Sequence, residues 1–125
     1  MKVLIVDDNP IFLELFELYA ENYPQFEFFY GKSGKEALKI LEREESEDFS
    51  LLITDVRMPT TTGIDLTRIV KEKYPNISIM LITGLELSLF SEEGLDSKTK
   101  LLNKSIGCEG ILKEVELFFN SGGSQ

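Results

Sequence analysis

The chain has 125 residues, 42% of them hydrophobic and 28% charged, with a net charge of −9 and one cysteine; this is one domain, long enough to close a core without disulfides or a structural metal. No apolar run approaches a membrane span, no N-terminal stretch reads as a signal peptide, and so acidic a surface is poorly suited to gripping a phosphate backbone. The chain has no histidine, which removes imidazole acid–base catalysis, Ser-His triads, phosphohistidine chemistry and the common zinc sites.

Residues 3–6, VLIV, form a short apolar run that predicts a buried strand. From Ile11 the period changes: Ile11, Leu15, Leu18 and Phe12, Phe16, Tyr19 recur at helical spacing to about Asn22. Asp8 or Asn9 is placed to cap this helix, Pro10 suits its first turn, and Pro24 closes it. FEFFY at 26–30 predicts a second strand. Ser33 begins a helix with Glu36 at the capping-box position and Ala37, Leu38 and Leu41 on its apolar face. EREESED reads as a solvated helix end, and a third strand follows at Leu51–Thr54. Gly63 precedes a helix with Leu66, Ile69, Val70 and Tyr74 inward, stopped by Pro75 and Asn76. Ile77–Ile82 predicts a fourth strand, 85–93 a short helix, and Leu101 and Leu102 a fifth strand. Ile111, Leu112, Val115, Phe118 and Phe119 line a last helix, and SGGSQ is expected to be a flexible tail. The expected division is a domain over 1–119 and a tail over 120–125.

Strands alternating with helices imply βαβ units and a parallel sheet covered on both faces. The expected fold class is α/β, a doubly wound, flavodoxin-like (βα)5 sheet with strand order 2-1-3-4-5. In that order the polar strand ends converge. Strand one ends at Asp7-Asp8, strand three at Asp55, strand four at Thr83 and strand five at Lys104. All lie on the edge where open α/β sheets bind ligands. Taken singly, Thr83 reads as a strand-end hydroxyl bonded to backbone, Lys104 as a surface lysine and Asp8 as a helix cap. Their joint placement carries the functional reading.

Three close carboxylates repel one another and need a cation or raised pKa values. An all-oxygen set without His or Cys suits a hard ion, Mg²⁺ first. With the Thr83 hydroxyl and the Lys104 ammonium beside it, such a site is suited to a phosphoryl group. A carboxylate can itself be the acceptor, and Asp55, alone on the central strand, is the better nucleophile.

VLIVDDNP, LLITDVRMPTTTGIDL, IMLITG and LLNKSI together resemble the receiver domain of two-component response regulators, over residues 2 to about 119. The resemblance implies that Asp55 accepts phosphate from a histidine kinase or phosphotransfer protein. It implies that Asp7 and Asp8 bind Mg²⁺, Asp8 directly, with Asp55 and the backbone carbonyl of Arg57 completing the metal set. Thr83 and Lys104 would bind the phosphoryl oxygens, and Met58-Pro59 and Gly63 would shape the loop after Asp55. A cytoplasmic location is expected, consistent with the lone Cys108.

The chain departs from the family pattern in three places. Ser105 follows Lys104 where the family has proline on a cis bond; a cis bond before a non-proline costs roughly 3 kcal/mol. Either a trans bond with a shifted loop or a strained cis bond is expected. Leu101 stands where the family has an aromatic switch residue, and DSKTK replaces a Gly-Ala turn. Signalling through the face of the fourth helix, fifth strand and fifth helix is therefore expected to differ. The Arg57 side chain either hangs over the acyl phosphate or is merely exposed.

Three classes of function compete: a phosphorylation-switched module acting only on itself, a degenerate receiver used as a constitutive interaction module, and a Mg²⁺-dependent phosphate-ester hydrolase. The last lacks a second general acid, a substrate cap and a G-x-x-x-x-G-K loop. The first is favoured by the intact acidic trio. The message must then pass by contact to an output protein, an output domain or a second copy in a homodimer, without direct nucleic-acid or membrane binding.

Overall fold

Five parallel strands make one sheet in the order β2-β1-β3-β4-β5. The computed structural model describes residues 1–43, 48–58, 62–84 and 99–121. The strands are β1 (Lys2–Val6), β2 (Glu27–Gly31), β3 (Phe49–Asp55), β4 (Ser78–Thr83) and β5 (Lys100–Asn103). The described helices are α1 (Pro10–Ala20), α2 (Gly34–Arg43), α3 (Gly63–Lys73) and α4 (Gly107–Asn120). This is the flavodoxin-like order expected from the sequence. The helix expected over 85–93, Pro59, most of the EREESED run and the start of DSKTK lie outside the described residues.

Alternation along each strand builds two cores, because successive side chains point to opposite faces. Val3, Ile5, Leu51 and Ile53 face α1 and α4, where Phe16, Ile111 and Val115 meet them. Leu4, Val6 and Leu52 face α2 and α3, against Ala37, Leu66 and Val70. Each fully buried aliphatic of this kind contributes roughly 1.5–3 kcal/mol relative to exposure.

The local signals are visible in the caps. Asn9 caps α1, its side-chain oxygen accepting from the backbone N–H of Ile11 and Phe12. The Ser33 hydroxyl accepts the Glu36 N–H at 3.0 Å, and the Glu36 carboxylate accepts the Lys32 N–H at 3.0 Å. Thr62, which the sequence reading passed over, caps α3 by accepting the Asp65 N–H at 3.1 Å.

The sequence left two rows of α1 open, and the structure separates them. The Ile11, Leu15 and Leu18 row of α1 points outward, 72%, 47% and 62% exposed. Phe16, from the second row, is buried together with Leu13, which neither row contains. Helical spacing alone is satisfied by either row; the crossing of α1 over β1 and its packing on α4 choose between them. The other helices follow expectation: Leu66 and Val70 of α3 are buried, as are Ile111, Leu112 and Val115 of α4.

Register sets the strand ends beside one another. Val6 pairs with Thr54, so Asp7 and Asp55 leave neighbouring strands side by side. Asp55 pairs with Ile82, and Thr83 pairs with Asn103, which places Lys104 one residue past Thr83.

Candidate functional site

Asp7 is fully buried, Asp55 is buried and Asp8 is exposed. Each offers a carboxylate oxygen, and these oxygens lie within 4.8 Å of one another. The backbone fixes two of them. The Asn9 N–H donates to Asp7 Oδ1 at 2.9 Å, and the Arg57 N–H donates to Asp55 Oδ1 at 3.0 Å. Beneath, the Asp7 N–H donates to the Gly31 carbonyl and the Val56 N–H to the Ile82 carbonyl, tying both chain segments to neighbouring strands.

Lys104 closes the cluster. Its Nζ donates to Asp55 Oδ2 at 2.9 Å and lies 2.7 Å from Asp7 Oδ2. Burial pulls this ammonium down, but bonding and charge attraction from Asp7 and Asp55 outweigh it and leave its pKa above the ordinary value. For Asp7, burial pushes the carboxyl upward, against the pull of Lys104 and the Asn9 N–H, and the net shift is upward.

The Lys104–Ser105 bond is trans, among described residues without a cis peptide. Of the two geometries expected, the trans one holds, and Lys104 still reaches Asp55. The reason is local. Lys104–Ile106 form a 3-10 turn in which Asn103 Oδ1 accepts the Ser105 N–H at 2.9 Å and the Gly107 N–H returns to the Lys104 carbonyl. Gly107 then takes φ +76°, a left-handed conformation suited to glycine, and leads into α4.

Thr83 is 1% exposed at the end of β4, one residue past the partner of Asp55. Arg57 is exposed, and its backbone N–H holds Asp55. Arg57→Ala keeps that bond, so phosphoryl uptake is expected to stay within about twofold of the native chain; time courses of an aspartyl-phosphate adduct would check it. Leu101 is half-buried against the α2 and α3 core. Lys100 begins β5 and pairs with Glu114 of α4 at 2.9 Å.

Phe12, read from the sequence as part of a helical row, is half-buried against the α1 and α4 core. Its ring lies against Lys104, with Nζ 4.6 Å from the ring centroid. No spacing rule pairs residues 12 and 104; only the tertiary packing of α1 beside the β5 end does.

The donor set fits a hard cation. Asp7 Oδ2 is buried and accepts no well-aligned hydrogen bond, its neighbour being the Lys104 charge. The clustered donors are carboxylates only, the set that suits Mg²⁺.

Residues 3–116 match the model of the response regulator receiver domain. The chain belongs to that family. The receiver is 34% identical over 83 residues to response regulator protein PilR of Pseudomonas aeruginosa, covering 66% of this chain and 18% of that protein. It is 37% identical over 76 residues to response regulator receiver protein CpdR of Brucella abortus, covering 60% of this chain and 63% of that one. The receiver thus spans less than two thirds of either relative. A response regulator receiver domain protein from Clostridium thermocellum superposes with a TM-score of 0.80 at 21% identity, over 96% of this chain and 94% of that one. A CheY-like receiver from Methanospirillum hungatei gives 0.78 at 22% identity, over 96% and 94%. At these identities the structures share the fold.

The raised Asp7 carboxyl carries an expected result. A carboxyl whose pKa is higher folded than unfolded costs the fold stability once it is ionised. That cost enters as pH rises from the ordinary 3.8 through the raised value, and is complete above it. Asp7→Asn keeps an oxygen for the Asn9 N–H and removes the charge. Above the raised value it is expected to stabilise the metal-free receiver, while weakening Mg²⁺ binding. Melting in EDTA, beside a Mg²⁺ titration, would check both.

Proposed function

We propose that this receiver is a phosphorylation-switched signalling module whose acceptor is Asp55. The convergence of Asp7, Asp8 and Asp55 within 4.8 Å, with Lys104 reaching in from β5, is the observation that carries the reading. A carboxylate oxygen of Asp55 attacks the phosphorus of a phosphohistidine on a histidine kinase or phosphotransfer protein. The O–P bond forms as the N–P bond breaks, and the imidazole leaves with the electron pair. These 125 residues contain no histidine, so the donor imidazole lies outside them.

Lys104 exchanges its contact with Asp55 Oδ2 for a phosphoryl oxygen, and the Thr83 hydroxyl donates to a second oxygen. The Arg57 N–H keeps the other Asp55 oxygen in place during attack. Asp7, Asp8, Asp55 and the Arg57 carbonyl are the residues that would hold Mg²⁺. When bound, the ion neutralises charge between the carboxylates and the incoming phosphoryl oxygens. Water attack on the acyl phosphate returns the carboxylate and inorganic phosphate, so the module acts on itself and turns over no separate substrate.

The switch reads out at the face of the fourth predicted helix, β5 and α4, through contact with an output protein or domain or with a second copy of the receiver. Leu101 there fills space without a ring. A location in the cytoplasm belongs to this reading; among the described residues no helix is long and apolar enough to cross a membrane.

The test is intact mass after incubation with acetyl phosphate and Mg²⁺, with Asp55→Asn and metal-free samples alongside. One phosphoryl adduct, lost in both controls, is expected. No adduct, under conditions that label a working receiver, would instead favour a constitutive interaction module.

A further inference from the structure

Lys104 leaves β5 through a turn that fixes its backbone. The Asn103 cap and the Gly107 N–H set the direction of its Cα–Cβ bond. They do not fix the flexible stem beyond it. Asp7 and Asp55 attract the ammonium at 2.7 and 2.9 Å, but a point charge between two carboxylates is free to slide toward either.

A third contact comes from α1. The Phe12 ring stands 4.6 Å from Nζ, within the range where a ring face attracts a cation. The ring is itself braced. Phe12 lies 6.2 Å from the Phe16 ring, and Phe16 is fully buried and packs edge-on to Phe28 at 5.2 Å. The ring therefore sits on an aromatic base that reaches β2 through Phe28.

We propose that Phe12 is a positioning residue, its ring holding the Lys104 ammonium between Asp7 and Asp55 where it meets a phosphoryl group on Asp55. The inference rests on the reading of Asp55 as acceptor, and adds to it the element that aims the lysine on a trans peptide.

The test uses the full chain with Phe12→Leu and Phe12→Met, which keep an apolar side chain and delete the ring, and with Phe12→Tyr, which keeps it. Proton NMR of the Lys104 Hε signals, assigned by their loss in Lys104→Met, reports the ring directly. They are expected upfield of the other lysines in the native chain and in Phe12→Tyr, and to join the others in both ringless variants. Phosphoryl uptake from acetyl phosphate with Mg²⁺, measured against donor concentration, is expected to fall about tenfold in its limiting rate in the ringless variants. The half-saturating donor concentration stays unchanged, and Phe12→Tyr restores the rate. A receiver fold weakened without loss of the lysine's aim would not produce that split. Unshifted Hε signals in the native chain, or ringless variants as fast as the native one, overturn the proposal. An upfield shift that depends on the ring, in a native chain that takes up no phosphoryl group, would sink the acceptor reading while showing that Phe12 holds Lys104.

Discussion

Gly63→Ala is expected to destabilise the receiver by about 3 kcal/mol, near the top of the range for overpacking, and to slow phosphoryl uptake by about 100-fold. A Cβ at Gly63 would collide with the Asp55 carbonyl oxygen and lie 2.9 Å from both the Asp55 carbonyl carbon and Val56 Cα. These are backbone atoms, so no rotamer change relieves the clash. The first turn of α3 must lift away from the end of β3. That movement pulls on the hydrogen bond from the Gly63 N–H to the Val56 carbonyl at 3.0 Å. Val56 in turn is tied to Ile82, so the strain reaches the segment that presents Asp55. A misplacement near 1 Å at an attacking oxygen is enough for a loss of that size. Urea unfolding is the measurement: the midpoint is expected to fall with an unchanged slope. An unchanged midpoint would mean that α3 and β3 do not approach this closely in solution.

Lys104→Met is expected to lower phosphoryl uptake by about 100-fold, the scale for losing one preorganised charge donor to a developing oxyanion. Its second effect is on the resting fold. Asp7 is fully buried, and the variant leaves it facing Asp55 without a counter-charge. Breaking a buried pair costs roughly 3–5 kcal/mol; Lys104 is 26% exposed, so solvent reduces this to about 2 kcal/mol in metal-free conditions. Mg²⁺ is expected to restore most of it, because binding to the folded state alone stabilises by mass action. The pH dependence follows from the raised ammonium. A lysine whose folded pKa exceeds the ordinary 10.5 contributes stability that is fully present below 10.5 and is lost as pH rises through the raised value. The native chain should therefore keep its advantage over Lys104→Met across the neutral range and lose it only in strong alkali. Melting curves against Mg²⁺ and pH would show this; a variant as stable as the native chain in EDTA would mean that Asp7 and Asp55 do not depend on Lys104.

The two results separate jobs that meet at one strand edge. Gly63 acts through shape, by letting a helix start against the backbone of Asp55. Lys104 acts through charge, on the resting carboxylates and, in the proposed reaction, on the phosphoryl group. Asp7 meets Lys104 at 2.7 Å, and its burial opposes the charged form.

What the sequence by itself determined was periodic or terminal. The apolar runs VLIV and LLIT, the helical faces of α3 and α4, and the Asn9 and Ser33 caps are local patterns, and the structure keeps them. Alternation of strand and helix implied a parallel sheet with crossovers of one hand, which more than one strand order satisfies; the flavodoxin-like order was the one expected, and the structure has it. Given that order, Asp7, Asp8, Asp55, Thr83 and Lys104 had to share an edge. Tertiary structure decided the rest. It turned the Ile11, Leu15 and Leu18 row outward, because two rows of α1 have the same period and only packing on β1 and α4 distinguishes them. It aimed Lys104 on a trans bond, through an Asn103 cap that replaces the direction a proline would impose. It placed Phe12 against an ammonium 92 residues away in the chain, a contact between residues 12 and 104 that no local pattern encodes. Periodicity records which side of an element is apolar; how two elements cross, and so which side chains meet, depends on the whole packed sheet.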